Sequence, residues 1–369
     1  MGTWNHRMEG GLKKWHSNAK KITTLDCDQL CKKFPFRSNS EGIDTISRGP
    51  HVAELYPWKA ATMDSVTIPK MSLRDRQKWY SMPDEMGQQL TDAIPNLNVV
   101  EVDNTISPNR ECPTELKVVE LNAERGRKWM QASNLDIVRE ADVVILNEMD
   151  IGMARSDNQH TTRLMAHYLK MNYAWGLEFV ELTQGTKKDR WYANKAPDFR
   201  GLHGNAILSK CILSDATIFR DPVGQYFSSK KQGLNANGTE KRLGGRMGLF
   251  ARIIVDGKET VVGSVHKQAH GHEQVKAYIG NRKAVVAGDE AHQYCDKIGL
   301  QNIVSEVGGK KQHYTWPASC KSLGKHRGDN ICSNMNVRGE EKTTLPCFTQ
   351  FGYQTKLGDH ALTSAVFEP

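Results

Sequence analysis

The 369-residue chain has no apolar run approaching the ~20 residues that a bilayer-crossing helix needs, so no membrane span is expected. None of its eight cysteines stands in a Cys-x-x-Cys pair, which argues against a zinc ribbon or a thioredoxin-type centre. It carries no internal repeat and no low-complexity tract, which sets aside solenoids and fibres. The first residues, MGTWNHRMEGGLKKW, lack the apolar core of a secretory signal. That favours an intracellular chain unless a leader has been removed. The even cysteine number permits four disulfides, and Asn237-Gly238-Thr239 is a sequon in a polar loop, so the compartment stays open.

What is present describes a soluble globular protein. Hydrophobic residues make up 38% and charged residues 25%, enough for a sizeable core. The formal net charge of +8 favours anionic partners such as phosphate esters, and leaves a nucleic acid among the candidates. The basic residues come in short pairs (Lys187 and Lys188, Lys230 and Lys231, Lys310 and Lys311) rather than one stripe, as solvated loop charges do. Nothing in the sequence reports an oligomeric state.

Residues 1–114 are expected to form an N-terminal extension packed on the core, with one short helix near Asp84 to Ala93 and no strong strand before Asn98 to Val102. Residues 115–369 form the main domain. Its strand candidates are LKVVELN, ADVVILNEMD, GLEFVEL, GNAILS, AVVAGD and ALTSAVFE, with a hairpin LFARIIVDGKETVVGSVH turning at Asp256-Gly257. Helices are predicted from about Asp157 to Met171, capped by Ser156 or Asp157, and from His272 to Lys283. Hairpins mixed with helical connections predict two packed sheets with helices outside, rather than a single doubly wound sheet.

Where the apolar runs stop, polar residues stand: Asn122, Glu148, His203, His266, Asp289 and the pair Asp359-His360. Carboxylates, an Asn and imidazoles at separate strand mouths supply hard oxygen ligands for Mg²⁺ and groups that hold a phosphate and activate water.

From Leu116 onward these residues resemble, in order, the endonuclease/exonuclease/phosphatase (DNase I-like) superfamily. The landmarks are Asn122 ending one strand, Glu148 ending the next, the GNAILS strand, Ser264-x-His266, Gly288-Asp289, Arg327-x-Asp329 and the terminal Asp359-His360. The resemblance implies a four-layered α/β sandwich, two packed mixed β-sheets flanked by helices. It implies a divalent-metal-dependent phosphoesterase using Mg²⁺ or Mn²⁺. Glu148, with Asn122 and Asp359, would hold the metal. Asp289 would orient or deprotonate water, His266 would stabilise developing charge, and His360, paired with Asp329, would contact the phosphate or move a proton. His203 stands where relatives place a phosphate contact, and Arg155 in NEMDIGMARSDNQ would either touch phosphate or pair with Asp150 to shape its loop.

The chain departs from this pattern where Gly-Asp-x-Asn reads Gly288-Asp289-Glu290-Ala291, because Ala291 cannot donate a hydrogen bond. His292 could compensate as a phosphate ligand, or the member could be repurposed and non-hydrolytic. Asn330 and Gly358 likewise replace the residues usual at those positions. A nuclease would need an aromatic, basic rim, for which Trp175, Tyr226, Trp316, Lys310 and Lys311 are candidates. The segment Asp221 to Lys241 is too polar for the apolar hairpin of a lipid phosphodiesterase. Residues 1–114 could instead carry a protein-interaction role.

Overall fold

In a computed structural model of the chain, the described residues are 71–83, 86–220, 227–228, 240–266, 271–289, 291–304, 329–338, 342–344, 347–350, 353–356 and 362–368. All but Thr349, Gln350 and Tyr353 fall in one compact unit, Asp64–Phe348 with Gln354–Pro369. Asp359, His360, Arg327, Tyr226, Trp316, Lys310 and Lys311 lie outside the described residues, as does the side chain of His292.

The unit opens with two short helices, α1 (Leu73–Tyr80) and α2 (Gly87–Asp92). The first was not anticipated from the sequence, although Ser72 caps it by accepting from the Asp75 N–H. Strands β1 (Glu101–Asp103) and β2 (Leu116–Asn122) follow, then α3 (Trp129–Ser133), α4 (Asp136–Glu140) and β3 (Val143–Ile151). Next come α5 (Thr161–Leu169), β4 (Asn172–Glu181), α6 (Lys187–Ala193), β5 (Leu202–Ser209) and β6 (Ser214–Arg220). Strands β7 (Phe227–Ser228), β8 (Lys241–Gly244), β9 (Met247–Val255) and β10 (Lys258–Val265) precede α7 (His272–Ile279) and β11 (Lys283–Asp289). The unit continues with α8 (His292–Ile298), β12 (Gln301–Val304), β13 (Asp329–Ser333), β14 (Asn336–Val337), β15 (Lys342–Thr344) and β16 (Leu362–Glu368).

Among the described residues, one sheet runs β14-β16-β2-β3-β5-β4-β8-β7, with β1 added on β4 and β15 on β16; the other runs β12-β13-β11-β10-β9-β6. Both are mixed: β2 and β3 are parallel, as are β10 and β11, whereas β3 and β5, and β11 and β13, are antiparallel. The expected hairpin forms at Asp256-Gly257, with Val255 paired to Lys258. The sheets pack face to face over Leu116, Val118, Ile145, Ile207, Leu249, Ile253, Val262, Val285 and Phe367, all buried in one apolar cluster. Helices cover the outsides: α5 lies against β3 and β4, while α7 and α8 bury Val275, Ile279, Tyr294 and Ile298 against the second sheet. This is the four-layered sandwich expected. No helix among the described residues is long and apolar enough to cross a membrane.

Some element boundaries differ from expectation for local reasons. Asp157 and Asn158 both take left-handed backbone (φ 57° and 56°), so the helix expected from Asp157 begins only at Thr161, capped by the His160 side chain. The helix expected to reach Lys283 ends at Ile279, where Gly280 turns to φ 54° and Lys283 starts β11. Disulfides join Cys112 to Cys211 and Cys295 to Cys332.

Residues ahead of β2 are tied in by charge as well as by the Cys112 link. Glu101, on β1, is buried against Arg163 (2.7 Å), His160 (3.3 Å) and the Tyr173 hydroxyl. Burial pushes its carboxyl up, but His160, Arg163 and Tyr173 outweigh burial and bring it down to about 2. A depressed folded-state value means the stabilisation is complete above the unfolded value near 4.5 and is lost as pH falls toward 2. Glu101→Gln is therefore expected to cost about 3 kcal/mol at pH 7. The gap between the two proteins should narrow as denaturant unfolding is repeated from pH 5 down to pH 3. A gap that does not change with pH would mean that shape, not charge, is what Glu101 supplies.

Candidate active site

The two-residue period of the strands carries the site. On β2, Leu116 and Val118 face the inter-sheet core, and the same face continues to Glu120 and Asn122. On β3 it passes from Val143 and Ile145 to Asn147, and on β4 from Ala174 to Glu178. From Ile207 on β5 it reaches Asn205 and His203, from Val262 on β10 it reaches Ser264 and His266, and from Val285 and Ala287 on β11 it reaches Asp289. On β13 it passes back from Ile331 to Asp329. In each strand the apolar half of this face lies in the shared core, and the polar half gathers at the same end of the sandwich.

Backbone irregularities aim two of these groups. Glu148 has φ 60°, in the left-handed region, at a bulge between Leu146 and Met149 in the β3–β5 register. The bulge breaks strict alternation and turns the Glu148 carboxylate toward Asn122, whose Nδ2 donates to Oε1 at 3.4 Å. Gly288, at φ 151°, lets β11 approach β10 so closely that a Cβ would meet the Val265 carbonyl oxygen at 1.7 Å. Its neighbour Asp289 is thereby held against His266 and donates its backbone N–H to Asn147 Oδ1 at 2.8 Å. Asn147 in turn donates to Ser264 Oγ (3.1 Å).

His266 is the hub. Its Nε2 lies 3.3 Å from Asp289 Oδ2 and 3.8 Å from Glu148 Oε1, and its Nδ1 lies 3.0 Å from Glu178 Oε2 and 2.6 Å from Arg246 Nη1. Arg246 also donates to Glu178 Oε1 at 2.8 Å. Burial pushes the Glu178 carboxyl up, but Arg246 and His266 override it and hold it well below the usual range. An ionised Glu178 thus orients the imidazole from behind. A second cation, Arg125, pairs with Glu148 Oε2 at 3.0 Å and with Glu240 at 2.9 Å. Beneath them Asp289 and Asp329 face each other across β11 and β13. Burial first, then Asp329 and Asp289, push the Glu120 carboxyl well above its usual range, while Thr363 Oγ1 donates to it at 3.2 Å.

Arg125, Arg246, Glu148 and Glu240 keep part of their side chains in solvent (14%, 16%, 17% and 12%), so these form the mouth. Asn122, Glu148, His266, Asp289 and Asp329 are brought together as the sequence order suggested. His203 and Arg155 stand back from this group, and for Arg155 the pairing with Asp150, one of its two expected roles, is the one observed. His203 has no exposed side-chain surface: its Nδ1 bonds Asp150 Oδ1 (2.8 Å) and its Nε2 bonds Arg125 Nη1 (3.1 Å), so it steers Arg125 instead of touching a ligand. Arg155 is equally buried, bidentate to Asp150 (2.7 and 3.0 Å), and paired with Glu181 (3.1 Å) and Asp189 (3.6 Å). It shapes the loop and has no open face for phosphate. Trp175, a candidate rim residue, is also buried, its Nε1 donating to the Met149 carbonyl.

Ala291 is fully buried in the apolar cluster with Tyr294, Cys295 and Val265. The position therefore faces packing, not the site. Sequence reading missed Arg125, Glu178, Arg246, Asn147 and Glu120. Following alternate residues down each strand, instead of stopping at the last apolar one, would have found the three on strands; Arg125, in the turn after β2, and Arg246, in the β8–β9 turn, gave no such signal.

Among the described residues no three His, Cys, Asp or Glu side chains converge in metal-ligand geometry. The residues present still fit an ion of the magnesium type, which keeps most of its waters and needs one or two carboxylates. Glu148 offers a carboxylate at the mouth, backed by Asn122, above a surplus of buried acids, and it already draws the Arg125 cation to 3.0 Å.

No protein-family model matches the chain, and no curated protein does. Among solved structures it is similar to an endonuclease/exonuclease/phosphatase family protein from Leptotrichia buccalis, with 12% identity and a TM-score of 0.40, over 69% of this chain and 100% of that one. The human Nocturnin catalytic domain gives 14% identity and a TM-score of 0.40, over 69% of this chain and 93% of that one. A variant of Staphylococcus aureus beta toxin with bound magnesium ions gives 12% and 0.38, over 68% and 99%.

Proposed function

We propose that the protein is a divalent-metal-dependent phosphoesterase that hydrolyses a phosphate ester with water. The observation that carries this reading is the convergence, at one end of the inter-sheet face, of a mouth carboxylate (Glu148), a carboxylate–imidazole pair (Asp289 and His266) and two arginines (Arg125 and Arg246). Glu148 would hold Mg²⁺ or Mn²⁺, with Asn122 steadying the carboxylate; Asp359 is the further ligand that the resemblance implies. The bound ion supplies polarisation of the phosphoryl oxygen and neutralises charge as the ester is cleaved. Arg125 and Arg246 offer the substrate phosphate two fixed cations. Asp289, 3.3 Å from the imidazole, takes the proton of the attacking water, and His266, oriented by Glu178, stabilises the charge that develops. Asp329 lies opposite Asp289 where β13 pairs with the end of β11. His360, whose partner the resemblance implies to be Asp329, is proposed to contact the phosphate or move a proton.

A second reading, binding without hydrolysis, is favoured by Ala291, which puts a methyl group in the apolar cluster where the family pattern has an amide. One experiment separates them: phosphate or diester release from duplex and single-stranded DNA, bis-p-nitrophenyl phosphate, a phosphomonoester and sphingomyelin, with Mg²⁺, Mn²⁺ or EDTA. Release that needs the metal is expected. Calorimetric metal binding with no release from any of them would replace hydrolysis by the second reading.

A further inference from the structure

Helix α6 and the residues after it, KKDRWYANK, carry Lys187, Lys188, Arg190 and Lys195 exposed, while the one acid among them, Asp189, is buried; Lys188 is paired with Glu124 from the turn after β2, a partner that a phosphate would have to displace. Trp191 on this helix is 74% exposed, the most exposed of the large apolar side chains among the described residues. Lys187 and Lys188 precede it by four and three residues, so the three share one face of the helix. The helix sits beside the site. The Arg127 guanidinium lies 4.3 Å from the centroid of the Tyr192 ring, and the Tyr192 and Trp191 rings meet edge to face at 4.8 Å. Arg127 pairs with Asp189 at 2.9 Å, Asp189 lies 4.0 Å from Arg125, and Arg125 holds Glu148 at the mouth.

We propose that this cationic, aromatic face is a subsite for single-stranded nucleic acid, stacking an unpaired base on Trp191 while Lys187 and Lys188 take backbone phosphates. A π-face framed by lysines is what a strand with splayed bases requires, and it tolerates any base. A lipid surface is served less well, because the helix has no continuous apolar face: Ala193 is buried and Tyr192 is engaged by Arg127. The inference rests on the phosphate site described above, since that site gives the strand a scissile bond to present. Arg190 is turned away from the face, donating to the Gly185 carbonyl at 2.7 Å.

The test is fluorescence anisotropy of the full chain with a labelled oligothymidylate of about 12 nucleotides, in EDTA so that the strand stays intact. Trp191→Ala is expected to weaken binding by roughly 5- to 150-fold, with Trp191→Phe recovering most of it. Replacing Lys187 and Lys188 together by alanine should flatten the slope of log affinity against log salt by about 0.7 per lysine. Because Trp191 is exposed, an unchanged unfolding curve is expected for its variants and shows that the loss is local. Equal affinity of Trp191→Ala and the unaltered chain overturns the subsite. So does Trp191-dependent binding to phosphatidylserine vesicles with none to the oligonucleotide. Turnover of bis-p-nitrophenyl phosphate by the unaltered chain, measured alongside, reports on the phosphate site by itself. Absence of release from this and the other esters named above, together with Trp191-dependent strand binding, would remove the hydrolase reading and leave the subsite standing.

Discussion

Asp289→Asn is expected to lower metal-dependent ester hydrolysis by about 10²- to 10⁴-fold while leaving metal affinity within a factor of two or so. The substitution keeps size and shape. The backbone N–H that Asp289 donates to Asn147 is untouched, and the Gly288 approach to Val265 is unchanged. What is lost is the negative oxygen 3.3 Å from His266 Nε2, the group placed to receive a proton from attacking water. Glu148→Gln provides the contrast, because it should lose activity and metal affinity together, its carboxylate being the group at the mouth that draws a cation. Isothermal titration with Mn²⁺ and turnover of the same ester separate the two. If Asp289→Asn turns over within threefold of the parent, proton transfer runs through another group.

The second large effect concerns folding. Arg155→Met is expected to destabilise the protein by about 3–5 kcal/mol, because it leaves Asp150, Glu181 and Asp189 sharing a buried site without their common cation. In thermal unfolding the loss should come to roughly 4–6 °C. Burial alone would lower the arginine's affinity for its proton, but Asp150 and Glu181 reverse that and keep it charged. Adding Asp150→Leu to Arg155→Met should recover part of the loss in a double-mutant cycle, since the most tightly paired acid goes with its partner. A variant that unfolds like the parent but shows a raised KM would return Arg155 to the role of a phosphate ligand.

The sandwich could be read from the sequence because its signals are local. Asp256-Gly257 between Val- and Ile-rich runs can hardly be other than a hairpin, and the apolar stretches ending in Asn122 and Asp289 lie where their strands end, whereas β3 runs past Glu148 to Ile151. The boundary of α5 could not, because two left-handed residues at Asp157 and Asn158 delay it and neither is a glycine. The site was half legible. Carboxylates and imidazoles at strand ends stand out against apolar runs. An arginine in a loop, such as Arg125 or Arg246, becomes functional only through tertiary partners that the linear order does not name. His203 shows the opposite error. Its position at a strand mouth suggested contact with a ligand, yet the Asp150 carboxylate and the Arg125 guanidinium take up both ring nitrogens. Ala291 was legible as a loss of hydrogen bonding but not as a gain of packing, which depends on Tyr294 and Cys295 from the helix that follows.

The left-handed backbone at Glu148 sets fold against chemistry. A side chain with a Cβ holds that conformation at a cost of about 1–2 kcal/mol, which a glycine would not incur. The molecule would be locally more comfortable without its mouth carboxylate, so stability alone gives no reason for glutamate there. Engineering that position for heat resistance would trade away the very group the site is built around.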